Sequence, residues 1–248
     1  MEKINKLKKL INLYNLDGYI VPKNDDFFGE YIPENKDKLK FISNFSGSYG
    51  FALILKNKNY LFVDGRYTLQ AKIESGKFFN IVTLPNKFPY HVLKKKNLKI
   101  GFDPKLYTQK TLKRLFSKTN CKLVSINQNL IDKLSMKKEN TNVKKFYILS
   151  KKAVGQSYTL KINKLINLLS KKKIDFQFIS ASENIAWLLN IRGQDSEYTP
   201  VPNAYLTLDT NKKISLFCDL RKVDHSFKKK FKNIKFIDIK FTRLYLTK

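Results

Sequence analysis

Two histidines, two cysteines and one tryptophan in 248 residues leave little material for metal, thiol or aromatic-box chemistry. His91 stands near the head of a predicted helix and His225 in a basic turn. Neither has the i, i+4 or carboxylate spacing of a zinc hydrolase, so both are read as surface or capping groups. Cys121 and Cys218 fall at apolar strand positions far apart in the chain and are expected to be free thiols. No apolar run approaches the roughly 18 residues of a membrane span. Phe51–Leu55 and Ile185–Leu189 are the longest candidates, and the lysine-interrupted start lacks the pattern of a secretory signal. No membrane partner and a cytoplasmic location are therefore expected.

Arginine is also scarce. The net charge of +29 invites a nucleic-acid reading, yet only Arg66, Arg114, Arg192, Arg221 and Arg243 among 49 basic residues are arginine. Lysine is a point charge, whereas bidentate phosphate and base contacts favour arginine. Clusters such as Lys94–Lys96, Lys171–Lys173 and Lys228–Lys230 sit at predicted helix ends or turns, where cations meet the C-terminal dipole or water. The lysine enrichment is read as compositional, with no specific nucleic-acid partner.

What is present is a repeat. A lysine-rich helix leads through Leu16-Asp17-Gly18 into the strand Tyr19–Val21, and another leads through Lys173-Ile174-Asp175 into Phe176–Ile179. Each strand is followed by a hydrophobic helix, a turn ending in Gly47 or Gly193, and a hairpin whose return strand ends in Asp64-Gly65-Arg66 or Asp219-Leu220-Arg221. The offsets, 175 − 17 = 158, 193 − 47 = 146 and 219 − 64 = 155, are too long for a solenoid and indicate two related domains in tandem. The first copy continues for 133 − 64 = 69 residues beyond Asp64, against 248 − 219 = 29 beyond Asp219. The second copy is thus expected to lack roughly its last 40 residues and to leave an edge and a face uncovered, with Leu216, Phe231 and Phe236 partly wet.

Alternating strand and helix signals predict an α/β fold: two domains with mixed sheets flanked by helices, one at residues 1–135 and an incomplete one at 143–248. The polar stretch 133–142 is the linker. Ile4, Leu7, Leu10, Ile11, Leu13 and Tyr14 are assigned to one face of the first helix, with Gly18 ending it. Ser180 and Glu183 read as a capping box before the helix carrying Trp187. Residues 243–248 are expected to fray.

Catalytic motifs are thin. Gly47-Ser48-Tyr49-Gly50 lacks a P-loop lysine and reads as a turn, and no Gly-x-Ser-x-Gly or dinucleotide fingerprint occurs. In Asp64-Gly65-Arg66-Tyr67, Asp64 can cap helix amides, Gly65 can make a tight turn, and Arg66 can pair with a carboxylate. Asp64 and Gly65 are accordingly read as structural. Arg192-Gly193-Gln194-Asp195, with Tyr198 and Pro200, forms an irregular polar loop.

Phe41–Gly50, Val63–Tyr67, Ile100–Pro104, Asn129–Asp132 and Glu183–Asp195 with Pro200-Val201-Pro202, in this order, resemble the amino-terminal half of cytosolic Xaa-Pro aminopeptidases. The resemblance implies two creatinase-type amino-terminal domains ahead of a separate peptidase domain. In that domain two Asp, one His and two Glu hold a dinuclear manganese or zinc centre whose water attacks the bond before proline. None of those motifs occurs in this sequence, so no catalytic or metal residue is carried over and no cofactor is assigned to this chain. Arg66, Arg192, Asp195 and Tyr198 are assigned at most to a substrate entrance or interface. A homodimer, or a separately encoded peptidase half, is the expected partner. Proline-containing peptides become ligands only with the catalytic domain. A stand-alone non-catalytic binding or scaffold protein is the alternative reading, and a lysine-rich nucleic-acid binder ranks behind it.

Overall fold

The computed structural model describes residues 2–93, 97–135 and 143–247. The lysines at 94–96 and residues 136–142 of the expected linker lie outside this set. The chain divides into two compact units, Met1–Lys138 and Glu139–Lys248.

In the first unit the elements run α1 (Glu2–Leu13), β1 (Gly18–Pro22), α2 (Lys38–Ser43), β2 (Gly50–Leu55), β3 (Asn59–Asp64), α3 (Thr68–Ser75), β4 (Asn80–Leu84), α4 (Pro89–Leu93), β5 (Lys99–Phe102), α5 (Gln109–Phe116) and β6 (Lys122–Ser125). They build a six-stranded sheet in the order β4-β3-β2-β1-β5-β6. Strand β2 is antiparallel to both β1 and β3, and the remaining pairings are parallel. Alternation along the strands gives the sheet two cores. Tyr19, Val21, Ala52, Ile54, Leu61 and Val63 join Ile4, Leu7 and Ile11 of α1 on one face. Ile20, Phe51, Leu53, Phe62 and Ile100 meet Leu112, Leu115 and Phe116 of α5 on the other.

Helix α1 buries Ile4, Leu7 and Ile11, while Leu13 is 77% exposed and lies off the expected face. Gly18 does not end it. Asn15 does, in the left-handed conformation at φ 53°, and the Leu16 amide closes back on the Ile11 carbonyl at 3.0 Å.

The second unit holds β7 (Tyr147–Ile148), α6 (Tyr158–Lys171), β8 (Phe176–Ile179), α7 (Ser182–Leu189), β9 (Ile191–Arg192), β10 (Tyr205–Asp209), β11 (Ile214–Cys218), α8 (His225–Lys230), β12 (Ile234–Asp238) and α9 (Thr242–Leu246). Its sheet order, β12-β11-β10-β8, and its pairing senses repeat β4-β3-β2-β1. Strands β7 and β9 form a separate antiparallel pair that periodicity did not indicate, each being two residues long.

The strand registers align the units residue by residue. With Asp219 on Asp64, Leu206, Leu208, Leu216 and Cys218 fall on Ala52, Ile54, Leu61 and Val63, and all four belong to the second unit's core. Phe178, Tyr205 and Phe217 fall on Ile20, Phe51 and Phe62 of the opposite face. That face carries the α9 aromatic Tyr245, whose ring centroid lies 5.1 Å from Phe217, so the terminal segment is an ordered helix rather than a frayed end.

Leu216 and Phe231 are also buried, at 0% and 2%, contrary to expectation, because both face the core shared with α6 and α8. Ile174 and Phe176, at the start of β8, are among the exposed apolar groups, at 38% and 48%. The capping box fails as well. The N-cap of α7 is Ala181, without a side-chain hydrogen bond, and Ser182 opens the helix.

Candidate functional site

Asp64 and Asp219 end equivalent strands and act alike. The Asp64 carboxylate accepts the Arg66 amide at 3.0 Å and its Nε at 2.9 Å. Asp219 accepts the Arg221 amide at 3.0 Å and Nη2 at 2.8 Å. The arginine hydrogen bond is the main cause holding each carboxyl below its usual range. Each aspartate thereby starts a 3-10 turn that leads into the following helix. Gly65 has room for a side chain, the nearest atom to an added Cβ being Thr83 Cγ2 at 3.8 Å, and Leu220 occupies the matching position.

The second constellation is the loop after α7. Asn44 and Asn190 end α2 and α7 in the left-handed conformation, an offset of 190 − 44 = 146, whereas Phe51 and Tyr205 are offset by 205 − 51 = 154. The second unit therefore inserts 154 − 146 = 8 residues between helix and hairpin. Arg192 stands at the root of this loop, and Asp195 and Tyr198 lie within it.

Gly193 lets its two ends meet: an added Cβ would lie 2.8 Å from Pro202 Cα and 2.9 Å from the Val201 carbonyl oxygen. Asp195, half-buried, forms an ion pair with Lys222 and accepts the Asn203 amide at 2.7 Å, so it ties the loop to the turn after β11. Arg192 Nη1 donates to the Ala186 and Ile191 carbonyls at 3.2 and 2.9 Å. Tyr198 is 70% exposed. Arg66 belongs to the first unit and the other three candidates to the second.

One contributor escaped sequence reasoning. Lys161 is 8% exposed and donates to the Trp187 carbonyl at 2.7 Å and to Asn190 Oδ1 at 2.6 Å, with Nζ 4.3 Å from the Trp187 ring centroid. It closes the α7 C-terminus from which the loop departs. Its position among Tyr158, Ile162 and Leu165 on the inner side of α6 was the available signal.

His91 accepts the Phe88 amide at 2.9 Å, an N-terminal capping contact. Among the described residues no group of three or more His, Cys, Asp or Glu could hold a metal ion, so the family's dinuclear centre does not fit them. No helix of the described residues is long and apolar enough to cross a membrane.

Comparison with known proteins decides the lineage. Two family models, each described as the Creatinase/Prolidase N-terminal domain, match residues 3–136 and 137–244. This chain belongs to the creatinase/prolidase N-terminal domain family. It contains that domain twice, in agreement with the repeated sheet. It is 33% identical over 233 residues to the Probable Xaa-Pro aminopeptidase P of Laccaria bicolor, covering 90% of this chain and 36% of that protein. It is 30% identical to the Xaa-Pro aminopeptidase 1 of Dictyostelium discoideum, covering 92% and 39%. The creatinase-type chain thus spans little more than a third of the curated relatives it matches.

Its fold matches the X-prolyl aminopeptidase of Caenorhabditis elegans with a TM-score of 0.89 and 27% identity, over 99% of this chain and 43% of that one. The worm protein is described as a cytosolic enzyme with a di-nuclear active site.

Proposed function

We propose that this chain is the non-catalytic amino-terminal portion of an Xaa-Pro aminopeptidase-type metallopeptidase, and that it serves oligomerisation and the shaping of substrate access. The observation that carries this reading is the tiling of residues 3–136 and 137–244 by two N-terminal domain models, with no metal-holding group among the described residues. Peptide hydrolysis by a metal-bound water needs several converging ligands. That chemistry, with manganese or zinc, falls to a peptidase domain, and the site of action is cytoplasmic.

Arg66, whose side chain is 72% exposed, and the exposed Tyr198 are the groups offered to an interface or substrate entrance. Arg192 and Asp195 hold the loop that presents Tyr198. The test is release of the residue before proline from an Xaa-Pro peptide by the purified chain in manganese. No release is expected. Manganese-stimulated release that a chelator abolishes would overturn the reading.

A further inference from the structure

In the second unit the turn joining β10 to β11, the segment leading into β12 and the first turn of α6 enclose a cleft of about 800 Å³. Its floor is apolar, since Ile162, Ile214 and Ile234 are each 6% exposed and belong to the core. Its walls are basic. Lys212 and Lys213 stand in the turn, and Lys232 and Lys235 lie on either side of Ile234 in sequence.

The first unit fills the matching place. At the register offset of 219 − 64 = 155, Ile214, Asn233 and Lys235 fall on Asn59, Phe78 and Asn80. There Phe78 packs against the core, Asn59 Nδ2 donates to the Phe78 carbonyl at 3.0 Å, and Asn80 Nδ2 donates to the Asn59 carbonyl at 3.1 Å. Asn233 in place of Phe78 withdraws the ring, and Ile214 and Lys235 in place of the two asparagines remove both latches. Strands β11 and β12 carry these positions, at the opposite side of the sheet from β8.

The cleft is charged as well as open. Asp209 is the one acid among its lining residues, and its carboxylate already accepts the Lys213 amide at 2.8 Å. Four lysines against this carboxylate give a formal charge of 4 − 1 = +3, and among the described residues no ion pair engages any of the four. The first turn of α6 has no acidic residue, so the helix dipole adds to the same sign. We propose that this cleft binds a small anion bearing two or more phosphate groups. A volume of this order suits a small molecule, and several phosphates in one ligand relieve the mutual repulsion of the lysines together, where a monoanion would neutralise one charge. Lysine meets phosphate as a point charge, which fits a ligand selected by its number of charges. The assignment is independent of the peptidase reading.

The probe is inorganic tripolyphosphate added to the full chain at physiological ionic strength, with affinity read by calorimetry and position read by lysine acetylation and mass spectrometry. One-to-one binding is expected. Lys212, Lys213, Lys232 and Lys235 should be protected from acetylation, while Lys110 and Lys113 of α5 keep their rates. Lys212→Glu with Lys232→Glu is expected to weaken binding roughly tenfold or more. Lys110→Glu with Lys113→Glu makes the same change of net charge in the first unit and, being screened by salt, should alter affinity less than about twofold. All four substituted lysines are exposed, and an unchanged melting temperature separates lost binding from lost folding. The acetylation pattern of the parent chain reports the site without any substitution.

No heat and no protection at a large excess of tripolyphosphate would overturn the proposal. Equal protection of lysines in both units, or equal loss of affinity in the two double variants, would overturn it in favour of a general attraction to a basic chain. Orthophosphate that protects the same lysines as well as tripolyphosphate does would overturn the need for several phosphates. Tighter binding of a short single-stranded oligonucleotide that protects these four lysines would overturn the small ligand in favour of nucleic acid. The probe carries no peptide bond, so failure here leaves the peptidase reading standing.

Discussion

Lys161 and Trp187 are joined twice, by a hydrogen bond from Nζ to the Trp187 carbonyl at 2.7 Å and by a cation–ring approach of 4.3 Å. Lys3 makes both contacts on Phe41, at 3.2 and 4.3 Å. The repeat thus preserves a device as well as a topology: a lysine in the first turn of one helix closes the end of the next. The two copies differ in burial, since Lys161 is buried and Lys3 is exposed. Lys161→Met is expected to cost the second unit about 1–3 kcal/mol, because it strands the buried Asn190 Oδ1 and the α7 carbonyl, whereas Lys3→Met costs the first unit well under half of that. Urea unfolding of the two variants measures the difference.

Asp64 and Asp219 each accept a backbone amide at the start of a 3-10 turn. Asp219→Ala is expected to destabilise the second unit by about 0.5–2 kcal/mol, with Asp219→Asn recovering much of the loss. The same pair of substitutions at Asp64 should rank in the same order. Thermal melts of the four variants test both halves of the equivalence.

The Asp17 carboxyl is held below its usual value of 3.8, first by the Lys99 amide and also by Lys56. A carboxyl with a depressed folded value contributes stability that is present above the unfolded value and lost as pH falls through the folded one. The first unit should therefore lose stability as pH drops below the ordinary carboxyl value of 3.8. Asp17→Asn should flatten that slope while leaving stability near pH 7 lower than in the parent. Denaturant midpoints across this window show whether it does.

Cys218 is fully buried at the end of β11, and burial pushes its thiol up to about 12. Since the thiolate is the reactive form, Cys218 should resist alkylation at pH 8 in the folded chain, while half-buried Cys121 reacts first. Mass spectrometry after iodoacetamide treatment, with and without denaturant, reads this directly.

The repeat was legible because strand registers and helix lengths keep the offset near-constant, and the Asp-x-Arg turns mark equivalent strand ends. Local signals misled where another residue did the work. Gly18 suggested a helix end, yet Asn15 and Lys173 take the left-handed position, at φ 53° and 55°, and the Leu16 and Ile174 amides close identical turns. Nothing in the propensity of lysine indicates that conformation; the matched helix-to-strand connection imposes it. Ser180 and Glu183 fit a capping box in spacing, but the strand–helix corner places Ala181 at the cap. Among the candidate site residues, exposure separates Arg66 and Tyr198 from the ion-paired Asp195, a distinction that depends on Lys222, 27 residues away in sequence.

Among the described residues the second unit repeats the first unit's sheet from β1 to β4 and leaves the outer side of β8 unpaired, where the first unit continues into β5. Native-state hydrogen exchange of the full chain, read at β1 and β8, tests this most directly. The amides of Tyr19, Ile20 and Val21 should be strongly protected, and those of Gln177, Phe178 and Ile179 should exchange at least a hundredfold faster. Equal protection of the two strands in a monomeric sample would contradict this difference between the units.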